Sequence, residues 1–141
     1  MKRIHVHIAV SDLASAVDFY TRLLGATPAF QANDYASWAL ASPALNLAVS
    51  TRHEGAIGVS HLGVETDDVA EVAALAARVQ DAPGYDEGHT SCCYARSTKQ
   101  WVQDPDGVSW ELFQTEGRIG SWALDDVGVR DSDRKACCPA G

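Results

Sequence analysis

The feature that most constrains this chain is an internal repeat. The segment "HVHIAVSDLASAV" opens at His5 and "HLGVETDDVAEVA" opens at His61. Superimposed, they agree as His, apolar, any, apolar, three variable positions, Asp, apolar, Ala. In each copy the Asp follows the His by seven residues, Asp12 after His5 and Asp68 after His61. Up to that Asp the residues alternate or run apolar over the length of a strand. Beyond it Leu13, Ala16, Val17, Tyr20 and Leu24, and then Val69, Val72, Leu75, Ala76 and Val79, recur at helical spacing. Each copy therefore reads as a strand followed by a helix, capped by Ser11 or Asp12 in one and by Asp67 or Asp68 in the other.

The two copies continue alike. Gly25 ends the first helix, and "TPAFQ", "YASWALA" and "LNLAVST" follow as strand-like runs, with Asn33-Asp34 and Ser42-Pro43 as turns. After the second helix Pro83-Gly84 breaks the chain. There "HTSCCYA", "KQWVQD" and "SWELFQ" read as strands, with "DPDG" at 104 to 107 as a hairpin turn. The expected fold class is α+β, two tandem βαβββ modules at about 1–54 and 55–116 forming one domain over 1–116. A chain of 141 residues has room for one good core but not for two ordinary domains. From Gly117 the pattern dissolves, so 117–141 reads as a flexible tail.

A net charge of −8 argues against nucleic acid or an anionic membrane as partner, since both reward clustered Lys and Arg. No segment approaches the ~20 apolar residues of a membrane span, and no secretory signal stands at the start, so a cytoplasmic protein acting on a small molecule or metal is expected. The four cysteines fall as two adjacent pairs, Cys92-Cys93 and Cys137-Cys138, a poor layout for a secreted disulfide framework. Neighbouring Cα atoms lie about 3.8 Å apart, too close for an unstrained disulfide. Consecutive residues of a regular strand also point to opposite faces, so Cys92 and Cys93 can meet one target only where the backbone bends. A soft, thiophilic atom suits two thiolates better than a disulfide does.

A duplicated module with a His on the first strand of each half and a last strand reading "DPDGVSWEL" resembles the vicinal oxygen chelate superfamily of glyoxalase I, bleomycin-resistance proteins and extradiol dioxygenases. The resemblance covers about residues 3–115. Within it "MKRIHVHIAVSDL", "SHLGVE", "CCYAR", "WVQDPDGVSWE" and the late Cys pair are similar to the branch of carbon-arsenic lyases and cadmium-induced proteins.

The resemblance implies a metal in the sheet cleft held by His5, His61 and Glu111. Two imidazoles and one carboxylate with open positions beside them is a donor set of non-haem Fe(II), which also accepts Ni, Co, Zn or Mn. His7 shares a strand face with His5, but only His5 repeats the offset of His61 to its Asp. Glu111 interrupts an apolar strand, where a buried carboxylate needs a cation. A four-ligand glyoxalase I site would draw another carboxylate from "LNLAVST", which has none and offers only Asn46, a weak donor.

The same resemblance makes Cys92 and Cys93 the substrate clamp and leaves Cys137 and Cys138 either as a delivery pair or as an unordered end. Arg96 and Lys99 favour the thiolates if they point toward them. No further catalytic side chain is implied. The implied activity is Fe(II)-dependent, O2-consuming cleavage of the C–As bond of trivalent organoarsenicals such as methylarsenite, giving arsenite. Two alternatives stand beside it: a cadmium- or arsenic-binding resistance protein without turnover, and a glyoxalase-type isomerase or extradiol dioxygenase that needs no cysteine. A homodimer is an open expectation.

Overall fold

The structure, a computed structural model, describes residues 1–52, 55–92 and 94–118, with the side chains of Cys92 and Arg118 outside the described part. The first half runs β1 (Arg3–Ala9), α1 (Leu13–Leu24), β2 (Phe30–Gln31), β3 (Tyr35–Ala41) and β4 (Ala44–Ser50). The second repeats the order with β5 (Gly58–Thr66), α2 (Val69–Ala77), β6 (Gly84–Cys92), β7 (Ala95–Gln103) and β8 (Ser109–Arg118). The duplicated strand-helix-strand-strand-strand pattern is thus present in the fold.

Both helices begin where the repeated Asp predicts. The Asp12 carboxylate accepts from the Ser15 backbone N–H at 3.1 Å, and that of Asp68 from Ala70 at 2.9 Å. Each bond satisfies a donor that the first helical turn leaves unpaired, and losing such a cap costs about 1 kcal/mol. Gly25 closes α1 with φ 64°, a left-handed conformation natural to glycine.

All eight strands form one sheet, in the order β2-β3-β4-β1-β5-β8-β7-β6. In each half the first and last strands pair in parallel, β1 with β4 and β5 with β8, and the halves join along the antiparallel β1–β5 seam. Strand parity sets the two faces. Val6, Ile8, Leu47 and Val49 pack under α1 with Leu13, Tyr20 and Trp38, whose indole N–H donates to the Ala26 carbonyl at 2.9 Å. The alternate positions of β1 and β4, among them His5, His7, Ala48 and Ser50, are buried on the opposite face.

Three expectations need correction. "HTSCCYA" is not one strand: β6 begins at Gly84, ends at Cys92, and the chain reverses so that Cys92 pairs with Ala95. As an outer strand of the sheet, β6 needs no apolar alternation, so its polar "GYDEGHTSC" gave no strand signal. β7 accordingly starts at Ala95 rather than Lys99, and β8 runs on to Arg118. The remainder of the expected tail lies outside the described residues. Among the described residues no helix is long and apolar enough to cross a membrane.

Candidate metal centre

Three adjacent strands bring the candidate ligands together. His5 on β1 pairs with Gly63 on β5, and Gly63 pairs with Glu111 on β8. His61 lies two residues before Gly63 and so on the same face of β5. Gly63 thus lies between His5 and Glu111, with the Glu111 backbone packed closely against it. A Cβ added there would strike the Glu111 backbone carbonyl oxygen, so β5 and β8 would have to separate beside the carboxylate. Gly63→Ala is expected to cost about 1–3 kcal/mol, in the range of overpacking a tight interior, and to weaken metal binding. Thermal unfolding and metal titration of the variant measure both effects.

The three side chains are all at least 95 % buried: His5 is 5 % exposed, His61 2 % and Glu111 4 %. His5 Nε2 lies 3.3 Å from His61 Nε2. Glu111 Oε2 lies 3.4 Å from the first and 3.2 Å from the second. Ligands held about 2.1 Å from one ion at angles between roughly 90° and 109° stand about 3.0–3.4 Å apart, so the separations suit a single cation. The hydrogen-bond count agrees. His5 Nδ1 faces two acceptors, the Asn46 carbonyl and its side-chain oxygen, each at 3.2 Å, and therefore carries the proton. In the neutral ring Nε2 is then a bare lone pair aimed at another imidazole nitrogen and at a carboxylate. One proton on His61 Nε2 cannot satisfy both of its neighbours, whereas a cation at the centre meets all three.

His5 and Glu111 are held toward the forms that bind a metal. Burial holds the His5 imidazole below its ordinary range despite the pull of Glu111. Burial alone would push the Glu111 carboxyl up. The Lys99 ammonium first, then the His61 hydrogen bond and the two imidazoles, outweigh it and hold the group well below the usual carboxylate range. Lys99 Nζ stands 2.5 Å from Glu111 Oε1, with both groups buried, so the second carboxylate oxygen is left to face the imidazoles.

Sequence reasoning missed this pairing and offered Lys99 to the thiolates. The signal lay in β7, where Ser97, Lys99 and Trp101 are buried in strict alternation. Arg96, on the other parity, is exposed.

His7 is also buried and forms a further group with His5 and His61 whose ligand atoms are close enough to hold one ion. Its Nε2 is 2.9 Å from the Ser50 hydroxyl. The set containing Glu111 carries the anionic oxygen that a divalent ion favours. Asn46, considered as a weak extra ligand, sits against the far nitrogen of His5 rather than at the centre. Its strand β4 is interior to the sheet, between β3 and β1. Phe113 and Trp101 close the sides, edge-on to His5 at 5.1 Å and to His61 at 5.0 Å between ring centres.

Cys93, Cys137 and Cys138 lie outside the described residues, as does the Cys92 side chain. The residue that follows the first pair is well placed. Tyr94 has a left-handed backbone, φ 63°, unusual for a non-glycine residue. Its hydroxyl donates to Asp34 at 2.6 Å, and Arg52 pairs with the same carboxylate at 3.1 Å. Its ring packs on Tyr35 and Phe30. The turn that joins β6 to β7 is thereby tied to the first half of the chain.

The sequence model of the Glyoxalase/Bleomycin resistance protein/Dioxygenase superfamily matches residues 2–112. The chain belongs to this superfamily. Within it, the chain is 39 % identical over 123 residues to a trivalent organoarsenical cleaving enzyme of Bacillus sp. strain MD1, covering 84 % of this chain and 76 % of the relative. It is 35 % identical over 141 residues to a protein of the same name from Thermomonospora curvata, covering 98 % and 89 %. The cadmium-induced protein CadI of Mycobacterium tuberculosis is 39 % identical over 116 residues, covering 80 % and 76 %. A crystal structure of a superfamily member from Vibrio splendidus superimposes with a TM-score of 0.53 at 17 % identity, over 82 % of this chain and 99 % of that one. That likeness concerns the fold alone.

Proposed function

We propose that this protein is an Fe(II)-dependent, O2-consuming carbon-arsenic lyase that converts trivalent organoarsenicals such as methylarsenite to arsenite. The observation that carries the reading is the buried convergence of the His5, His61 and Glu111 donor atoms, each within 3.4 Å of the other two. The relatives named for organoarsenical cleavage supply the substrate class. Fe(II), when bound by these three residues, supplies activation of O2, the hard part of the chemistry.

The chain's own part is to hold and orient. The two thiols, Cys92 and Cys93, form two As–S bonds and give their protons to the two hydroxyl ligands of the arsenical, which leave as two waters while the carbon group stays attached. The reversal of the chain that pairs Cys92 with Ala95 supports this reading, since joint action of adjacent cysteines needs a backbone that departs from a regular strand. Holding the carbon group beside the metal replaces a bimolecular encounter with a positioned reaction. Phe113 and Trp101 keep water from the metal, and Lys99 fixes the carboxylate that binds it. With no added reductant the atoms balance as methylarsenite plus O2 giving arsenite plus formaldehyde. Four reduced thiols suit the cytoplasm.

The relative named as cadmium-induced favours one rival, a thiol-based metal-sequestering protein without turnover. A single assay separates the two. Protein loaded anaerobically with Fe(II) receives methylarsenite, and arsenite and formaldehyde are followed with and without O2. The lyase yields both products in equal amounts and only with O2. Binding without product under O2, or arsenite formed without O2, rejects the proposal.

A further inference from the structure

The His5 ring is held from behind by a chain of two side chains with a defined direction. Asn46 Nδ2 lies 2.5 Å from Glu65 Oε2, and Asn46 Oδ1 lies 3.2 Å from His5 Nδ1. A carboxylate only accepts, so the amide presents its NH2 group to Glu65 and its oxygen to His5. The imidazole must then donate through Nδ1. The Asn46 backbone carbonyl, also 3.2 Å away, shares that hydrogen. The three residues sit on three neighbouring strands, Asn46 on β4 opposite His5 on β1, and Glu65 on β5 opposite Arg3. Their order is therefore built into the sheet.

We infer that Asn46 and Glu65 are positioning residues that set the tautomer and orientation of His5, leaving Nε2 as the free nitrogen turned toward His61 and Glu111. The inference rests on the metal-centre reading above. A carboxylate acting through an amide on the far side of an imidazole makes the near nitrogen a better donor, as outer partners of metal-bound histidines do. Glu65 and Asn46 are half-buried, so the chain is shielded from water without the full penalty of a buried charge.

The test uses the whole protein and has two readouts, neither of which is turnover. In metal-free protein, long-range 1H–15N spectra report which ring nitrogen of His5 carries the proton. Anaerobic Co(II) titration reports affinity. Wild type is expected to show His5 protonated on Nδ1. Asn46→Ala is expected to give mixed tautomers and a Co(II) affinity about 10–100-fold weaker, the range for loss of an outer partner. Glu65→Gln keeps an acceptor for the amide and is expected to fall between the two. Unfolding temperatures close to wild type separate positioning from damage to the fold. Wild-type His5 protonated on Nε2, or an Asn46→Ala protein with unchanged tautomer and affinity, overturns the inference. No Co(II) binding by wild type, or equal binding by Glu111→Ala, overturns the underlying metal reading instead.

Discussion

Glu111→Ala is expected to abolish tight Fe(II) binding and with it arsenite release, by more than the roughly 10–100-fold that loss of an outer partner costs. It should also lower the stability of the metal-free protein. Lys99 meets this carboxylate with both groups buried, and removing one member of a buried pair costs about 3–5 kcal/mol. Two further variants separate these effects. Glu111→Gln keeps the volume and one acceptor oxygen, so it should fold better than the alanine variant and still lose the metal. His7→Ala removes a neighbouring ring but none of His5, His61 and Glu111, and should bind Fe(II) as wild type does. Anaerobic titration and thermal unfolding of the three variants read both quantities. Tight binding by Glu111→Ala together with loss in His7→Ala would move the centre to His5, His7 and His61.

The second large effect is at the cysteines. Cys92→Ser/Cys93→Ser should retain the metal but release arsenite no faster than free Fe(II) does. A hydroxyl at this position is neither a thiolate nor a ligand that arsenic prefers, so the carbon group is no longer held at the metal. Positioning of this kind is equivalent to effective concentrations of about 10⁵–10⁸ M, so the expected loss is three orders of magnitude or more. Each single serine variant should fall nearly as far, because one thiolate binds arsenic without fixing the direction of its carbon bond. Wild-type turnover in the double variant would exclude the clamp, whatever the metal does.

The repeat made one half of the architecture legible. A His, an Asp seven positions on and an apolar helical stripe were enough to expect β1 and α1, β5 and α2, both caps and the equivalence of His5 with His61. What stayed hidden follows from pairing rather than pattern. β6 has no apolar face because it lies at an edge, so the reversal at Cys92 was invisible. The Lys99–Glu111 contact depends on the register of β7 against β8, which shifts at a bulge between Arg96 and Ser97. Neighbouring residues cannot foretell such a slip. Asn46 was seen as a donor atom of doubtful strength. Only the β4–β1 register shows which nitrogen of His5 it meets.

The proposed reagent and the proposed substrate holder have different mechanical supports. His5 and Glu111 sit on strands paired on both sides and His61 pairs with His7 on β1, all within the sheet, whereas the Cys92 end of β6 is on an outer strand where the chain reverses to pair with Ala95. Substitutions at Asp34, Tyr94 or Arg52, which tie the start of β7 to the first half, are therefore expected to change selectivity for the proposed substrate while the ligand triangle keeps its dimensions. The proposed reagent is thus fixed by the interior of the sheet, and the hold on the proposed substrate by one of its edges.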